Sequence, residues 1–351
     1  MTALHLWLRH ESRTTERRTP IVPSDARRLI ESGATLTVED SPQRVFPAEA
    51  YEAVGCRVAE AGSWVTAPPD AVIVGLKELP DDPTALIHRH IFFGHAFKGQ
   101  PGAGSLLRRF LAGGGTLLDL EYLVDDNGRR LAAFGYWAGY LGAALALLHH
   151  RGLLTAPLQP TSKEELDERL RAATGEVRAL VIGALGRSGR GARVALGVAG
   201  ADPTCWDLAE TRELDRPALL GHELMVNTVL TTRPVPPFLT DKDLDDPGRR
   251  LRTLCDVTVD VGSPLNLLPV YDTPTGWDEP VRRLREQPVL DLIAIDNLPS
   301  LLPLEASTDF SAALTPLLPD FEVGGSWGRC RERFDEAVRE LRAGKGESGD
   351  L

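Results

Sequence analysis

The sequence predicts an α/β protein of two domains, each built on a parallel sheet with helices on both faces. Three observations carry this reading. The chain has 351 residues, which suits two domains of ordinary size. Short apolar, β-branched runs alternate with helical patterns, the rhythm of βαβ units. There are also too many such runs for one small sheet.

In chain order the expected strands are His5–Arg9, Thr35–Glu39, Ala71–Lys77, His90–His95 and Thr116–Tyr122, then Ala179–Ala184, Thr204–Leu208, Leu224–Leu230, Leu254–Val259 and Leu292–Asp296. Between them fall the helical patterns Asp25–Ser32, Ser105–Leu111, Ser162–Ala173 and Arg190–Val198. Leu131–Leu148 is uncharged for 18 residues but carries Gly135, Gly139 and Gly142, and is read as a buried helix rather than a membrane span. The turn Asn127–Arg130 precedes it, so the first domain is expected over 1–133 and the second over 134–302. The prolines of Leu298–Pro303 stop the sheet pattern, and the final helix, Trp327–Ala343, is expected to return within 303–351 to complete the first domain.

Charge and cysteine usage narrow the function. The net charge of −11 offers no basic surface for phosphates, which argues against nucleic acid as a partner. The four cysteines form no C-x-x-C pair, which excludes a zinc ribbon or disulfide scaffold and suits the cytoplasm.

The apolar strand at Ala179 runs into Gly183-Ala184-Leu185-Gly186-Arg187-Ser188-Gly189 and then a helix. Such glycines let backbone N–H groups approach a pyrophosphate at the helix start. Asp207, at the end of the next expected strand, is placed to bind ribose hydroxyls and repel a 2′-phosphate, which favours NAD over NADP. The other domain holds a different signal. Of 39 basic residues only five are lysine, and two of these, Lys77 and Lys98, lie near His95. Lys77 and His95 are expected at the carboxyl ends of their strands, where a parallel sheet opens to ligand. Both residue types serve acid–base chemistry when their environment tunes them. Glu78 and Glu121 are candidates to hold these groups, and Arg18 and Arg130 to clamp a carboxylate. His88, His90 and His95 have no carboxylate or thiol at ligand spacing, so no metal is expected.

These segments together resemble the NAD-dependent, lysine-forming saccharopine dehydrogenase family, relatives of alanine dehydrogenase and transhydrogenase. The matching stretches include Glu16–Pro23, Val38–Gln43, Gly75-Leu76-Lys77-Glu78, Gly94–Lys98, Asp119-Leu120-Glu121, Val181–Gly189, Trp206-Asp207 and Leu298–Pro303. The resemblance implies two Rossmann-like domains, an interdomain active-site cleft and a monomer without membrane attachment. It implies that saccharopine, NAD⁺ and water give lysine, 2-oxoglutarate and NADH. By the same resemblance Lys77 takes the proton of the secondary amine, His95 serves imine hydrolysis, and Glu78 and Glu121 tune them. Arg18, Lys98 and Arg130 would bind substrate carboxylates. Gly183, Gly186, Arg187, Gly189, Asp207, Asp256, Asp296 and Leu298 would face the cofactor. An opine-type dehydrogenase acting on another N-substituted amino acid would suit the same residues. Ser188 stands where the fungal enzymes carry cysteine, and Asn297 where the family often has histidine.

Overall fold

A computed structural model describes residues 4–97, 102–231, 233–321 and 324–344. The chain divides into two units, Met1–Ala133 with Ala306–Leu351, and Phe134–Glu305. In chain order the first stretch gives β1 (His5–Leu8), α1 (Pro23–Glu31), β2 (Thr35–Glu39), α2 (Ala48–Glu52), β3 (Arg57–Ala59), β4 (Val72–Val74), β5 (Arg89–Phe92), α3 (Ala103–Gly113) and β6 (Thr116–Asp119). The second stretch gives α4 (Gly135–His150), α5 (Lys163–Ala172), β7 (Ala179–Ile182), α6 (Arg187–Val198), β8 (Thr204–Trp206), α7 (Leu208–Arg212), α8 (Arg216–Leu220), β9 (Leu224–Asn227), α9 (Asp241–Leu244), β10 (Thr253–Asp256), β11 (Arg282–Glu286) and β12 (Val289–Ile293). Last come α10 (Pro303–Leu314) and α11 (Gly325–Arg342).

In the first unit six strands run in the order β3-β2-β1-β4-β5-β6, and every pairing is parallel. The order reverses between β1 and β4. At such a switch point the chain leaves a crevice beyond the carboxyl ends of the strands. Helix α11 packs on α3 and β6, with Phe334 edge-on to Phe110 at 5.7 Å. Trp64, Ile73, Phe92 and Leu117 complete that core.

The second sheet has the order β11-β12-β10-β9-β7-β8 and its switch point lies between β7 and β9. Its pairings are parallel except for β11, which runs antiparallel to β12. This departs from the wholly parallel sheet expected. The edge strand reads Arg-Arg-Leu-Arg-Glu, and charge on an edge suits a strand with one side in water. Strand β3, equally short of apolar alternation, was also unexpected.

Helix α4 is buried nearly all round, which explains its lack of charge. Its glycines are contact points. A Cβ on Gly139 would stand 1.8 Å from the Ser188 carbonyl oxygen, and one on Gly191 of α6 would stand 2.0 Å from that of Tyr136. The two helices therefore meet backbone to backbone. Among the described residues no helix is long and apolar enough to cross a membrane.

Candidate active site

The first unit's switch point gathers charge. Arg9, just past β1, is almost wholly buried, and it pairs with Glu11 at 3.2 Å while donating to the Lys77 carbonyl. Glu11 accepts the N–H groups of Leu76 at 2.6 Å and Lys77 at 3.0 Å. Gly75 permits this approach, since a Cβ there would stand 2.4 Å from Arg9 Nε. Strand β4 ends at Val74, so Lys77 sits three residues beyond it, in a loop rather than at the strand's end. Its backbone is nonetheless fixed by Arg9 and Glu11.

Glu16 is, with Glu11, a buried acid of this cluster, 1% exposed. Arg18 Nε donates to its Oε1 at 2.8 Å, and Arg18 Nη2 to its Oε2 at 2.5 Å. Burial pushes the Glu16 carboxyl up, but the Arg18 charge and hydrogen bonds outweigh it, with Lys77 adding to the pull, and the net shift is downward. The Nε–Nη2 edge of Arg18 is thus taken by Glu16. Glu78 is exposed and hydrogen-bonds Arg13. Burial raises its carboxyl too, and the Arg13 bond and charge bring it below the ordinary range. Sequence reading named Glu78 and missed Glu16, which looked like one more polar residue ahead of a proline turn.

His95 lies three residues past β5, on a turn in the left-handed region at φ 49°. Its side chain is half exposed, and Nδ1 is 3.8 Å from Glu121 Oε1. Glu121 belongs to a single 3₁₀ turn, Leu120–Tyr122, that follows β6. Asp119, which ends β6, is completely buried. Burial pushes its carboxyl up to about 7, with the Glu121 charge adding to this, while the amides of Glu121, Gly94 and Ala96 pull the other way. Arg130 is exposed on a strand-like bridge to Val124. Lys98 lies outside the described residues. His88 and His90 are buried away from the loops: His88 Nε2 lies 3.0 Å from the Ala67 carbonyl, and His90 is ringed by Trp64, Phe92 and Phe110.

In the second unit the glycine loop leaves β7 at the switch point. Gly183 has φ +83°, and a Cβ there would stand 2.6 Å from Thr228 Oγ1, so only glycine fits. A Cβ on Gly189 would stand 2.1 Å from the Gly183 carbonyl oxygen, which holds α6 tight to the loop. Gly186 is the N-cap of α6, which starts at Arg187, a turn's length before the expected Arg190. Arg187 is exposed at the N-terminus of this helix of 12 residues, the end where the helix dipole favours negative charge.

Asp207 does not end a strand. Strand β8 stops at Trp206, and Asp207 caps α7, reciprocated by Glu210. Its carboxylate also accepts the Leu185 N–H at 2.9 Å, tying the glycine loop to the end of β8. Leu185 and Leu208, 69% and 67% exposed, flank this carboxylate with apolar surface. Asp256 is completely buried. It accepts from Asn227 Nδ2 at 3.0 Å, Thr258 Oγ1 at 2.7 Å and Tyr271 OH at 2.7 Å, so it shapes the loop after β10 instead of presenting itself to a ligand. Leu298 is likewise interior, near Gly142, whereas Asp296 is exposed.

Comparison with known proteins follows the same division. Residues 7–141 match the family model "Alanine dehydrogenase/PNT, N-terminal domain". The chain is 41% identical over 364 residues to the saccharopine dehydrogenase [NAD(+), L-lysine-forming] of Neurospora crassa, covering 97% of each chain. This chain belongs to that family. It is 39% identical to the Schizosaccharomyces pombe enzyme of the same name, covering 97% of this chain and all of that one. Among solved structures it is similar to an L-alanine dehydrogenase at a TM-score of 0.68, with 15% identity over 97% of this chain and 100% of that one. The fold is thus that of the wider dehydrogenase group, two mostly parallel six-stranded sheets with helices.

Proposed function

We propose that this chain catalyses the reversible, NAD-dependent oxidative deamination of saccharopine to lysine and 2-oxoglutarate. The observation that carries the reading is end-to-end identity of about two residues in five with enzymes of that name, on a chain that has Lys77, His95, Glu121, Arg18 and the glycine loop. In this reading the second unit binds the dinucleotide and the first supplies the acid–base groups.

The residues present fit NAD. Gly183 lets the glycine loop pack against Thr228 and Val229, where a Cβ would clash, and the amides at the start of α6 favour the charge of a pyrophosphate. Asp207 would accept the ribose hydroxyls and repel a 2′-phosphate, and Leu185 and Leu208 offer apolar surface to an adenine. Bound there, NAD⁺ would supply the hydride acceptor for the carbon that bears the secondary amine.

Amine oxidation needs a free lone pair on nitrogen, and Lys77 in its neutral form takes that proton. The Glu16 carboxylate, although paired with Arg18, also feels the Lys77 charge and favours the protonated lysine that results. Imine hydrolysis then requires water to lose a proton and nitrogen to gain one. His95, half exposed and within 3.8 Å of Glu121, suits that double duty. The balance is saccharopine, NAD⁺ and water to lysine, 2-oxoglutarate, NADH and a proton. Arg18, Lys98 and Arg130 would bind the substrate carboxylates.

All four cysteines are free, which suits a reducing compartment, and we assign the chain to the cytoplasm as a monomer. The reading is tested by supplying lysine, 2-oxoglutarate and NADH and following loss of the reduced cofactor. Oxidation should need all three and should be far weaker with NADPH. Oxidation without lysine, or equal rates with NADPH, would contradict it.

A further inference from the structure

Beyond the end of β4 at Val74 the chain is held by a new set of bonds. The Gly75 N–H donates to the Ile91 carbonyl at 2.9 Å, and the Leu76 carbonyl accepts the Phe93 N–H at 3.2 Å. From there a side chain replaces the neighbouring strand. Glu11 Oε1 accepts the Leu76 N–H at 2.6 Å, and Oε2 the Lys77 N–H at 3.0 Å. Arg9 Nη2 donates to the Lys77 carbonyl. The backbone of Lys77 is therefore bonded at both its N–H and its C=O, while the next residue, Glu78, is exposed.

The two charges that make this clamp are out of water. Arg9 is 2% and Glu11 4% exposed, and they pair at 3.2 Å. The Arg9 guanidinium lies 5.7 Å from the centre of the Phe92 ring, and its Nη1 donates to the His10 carbonyl at 3.1 Å. Glu11 is braced through its own carbonyl, which accepts from Gln43 Nε2 at 2.7 Å. Desolvating an ion pair costs about as much as its attraction returns, and apolar side chains of similar volume often serve stability as well or better. What charged partners add is direction, since hydrogen bonds to ionised groups are short and strong. Here that direction is spent on the residue that carries the Lys77 amine.

We propose that Glu11, with Arg9, is a positioning residue for the reaction: together they clamp the Lys77 backbone so that its amine stands where the substrate's secondary amine loses its proton. The proposal rests on the reading of Lys77 as the amine base. Glu11 carries no proton in the reaction and acts through the Lys77 peptide.

The test follows saccharopine oxidation by NAD⁺ in the wild-type and Lys77→Met backgrounds. Glu11→Gln keeps the size but offers one acceptor oxygen to two amides, and it leaves the Arg9 charge unpaired. Because an unpaired buried charge endangers the fold, Arg9→Met combined with Glu11→Gln, which removes both charges, is tested beside it. Each should lower kcat about 10-fold, part of the roughly 10²-fold that a misplacement of about 1 Å can cost, with KM for saccharopine and NADH affinity kept within about 2-fold. The charge-free combination should do so while melting no earlier than wild type, whereas a role in stability alone would lower the melting temperature and spare kcat. In the Lys77→Met background neither change should cost anything further. Loss of the native fold in the charge-free combination, an unchanged kcat there, or an equal loss in both backgrounds overturns the proposal and leaves Lys77 as assigned. Full activity in Lys77→Met overturns the assignment of Lys77 and this proposal with it.

Discussion

Single residues divide the chemistry between charged groups held at loop ends. In the proposed mechanism Lys77 is the amine base and His95 the hydrolytic acid–base, so Lys77→Met and His95→Gln should each lower turnover on the order of 10²-fold. Neither touches the glycine loop, and NADH affinity, read by Trp fluorescence, should stay nearly constant. Near-full activity in both variants would place the catalytic centre elsewhere. His90 makes a stability prediction. It is completely buried among aromatic rings, and neither ring nitrogen has a hydrogen-bond partner. Burial, with the charges of Arg9, His88 and Arg109, holds its pKa well below 6.5. The unfolded chain therefore binds a proton below about pH 6.5 that the native state does not, so stability falls with pH there, by up to about 1.4 kcal/mol per unit. His90→Phe should remove that loss, and thermal melts of variant and wild type should diverge progressively as pH drops below 6.5. A constant difference across that range would mean that His90 does not titrate as described. At this scale the sequence marked candidates where residue type suggests chemistry, as at Lys77 and His95. It was opaque at Glu16, Glu11 and Asp119, because a buried acid and a solvated one look alike until the partners, such as Glu11 for the Leu76 and Lys77 amides, are brought together from 65 and 66 residues away.

Elements show the same contrast between apolar signal and polar placement. Strands β7 and β9 declare themselves by apolar runs and β2 by Leu and Val alternating with Thr, and the expected starts of all three were met. Their ends were overrun elsewhere: Leu76 is wholly buried, so an apolar run carries on past β4 although the ladder stops at Val74. Strands β3 and β11 left no such run, being exposed or charged at the sheet edges. Helix α4 carried a misleading membrane-like signal, and its glycines resolve it as the element against which α6 and its loop are seated. The glycine loop should accordingly tolerate no side chain at its first position. Gly183→Ala, strained at φ +83° and crowded by Thr228, should lose at least about 10-fold in NADH affinity while far-UV circular dichroism stays native. Unchanged affinity would show that the loop is only a packing turn.

For the whole molecule, an acidic chain of 351 residues with four free cysteines carries one reaction on two sheets of similar design. We expect it to act alone: sedimentation at micromolar concentration should give a single 38.2 kDa species, and a stable dimer would contradict that. The alternation of strand and helix revealed this architecture from sequence because two apolar periods dominate it. The substrate was less legible, since Arg18 and Arg130 speak for carboxylates but not for the length between them. The most direct measurement therefore runs the reaction in the degradative direction, with saccharopine and NAD⁺, and identifies the products by mass spectrometry. The account predicts lysine and 2-oxoglutarate in equal amounts, with one NADH for each. No NADH from saccharopine, or a different pair of products, would contradict it.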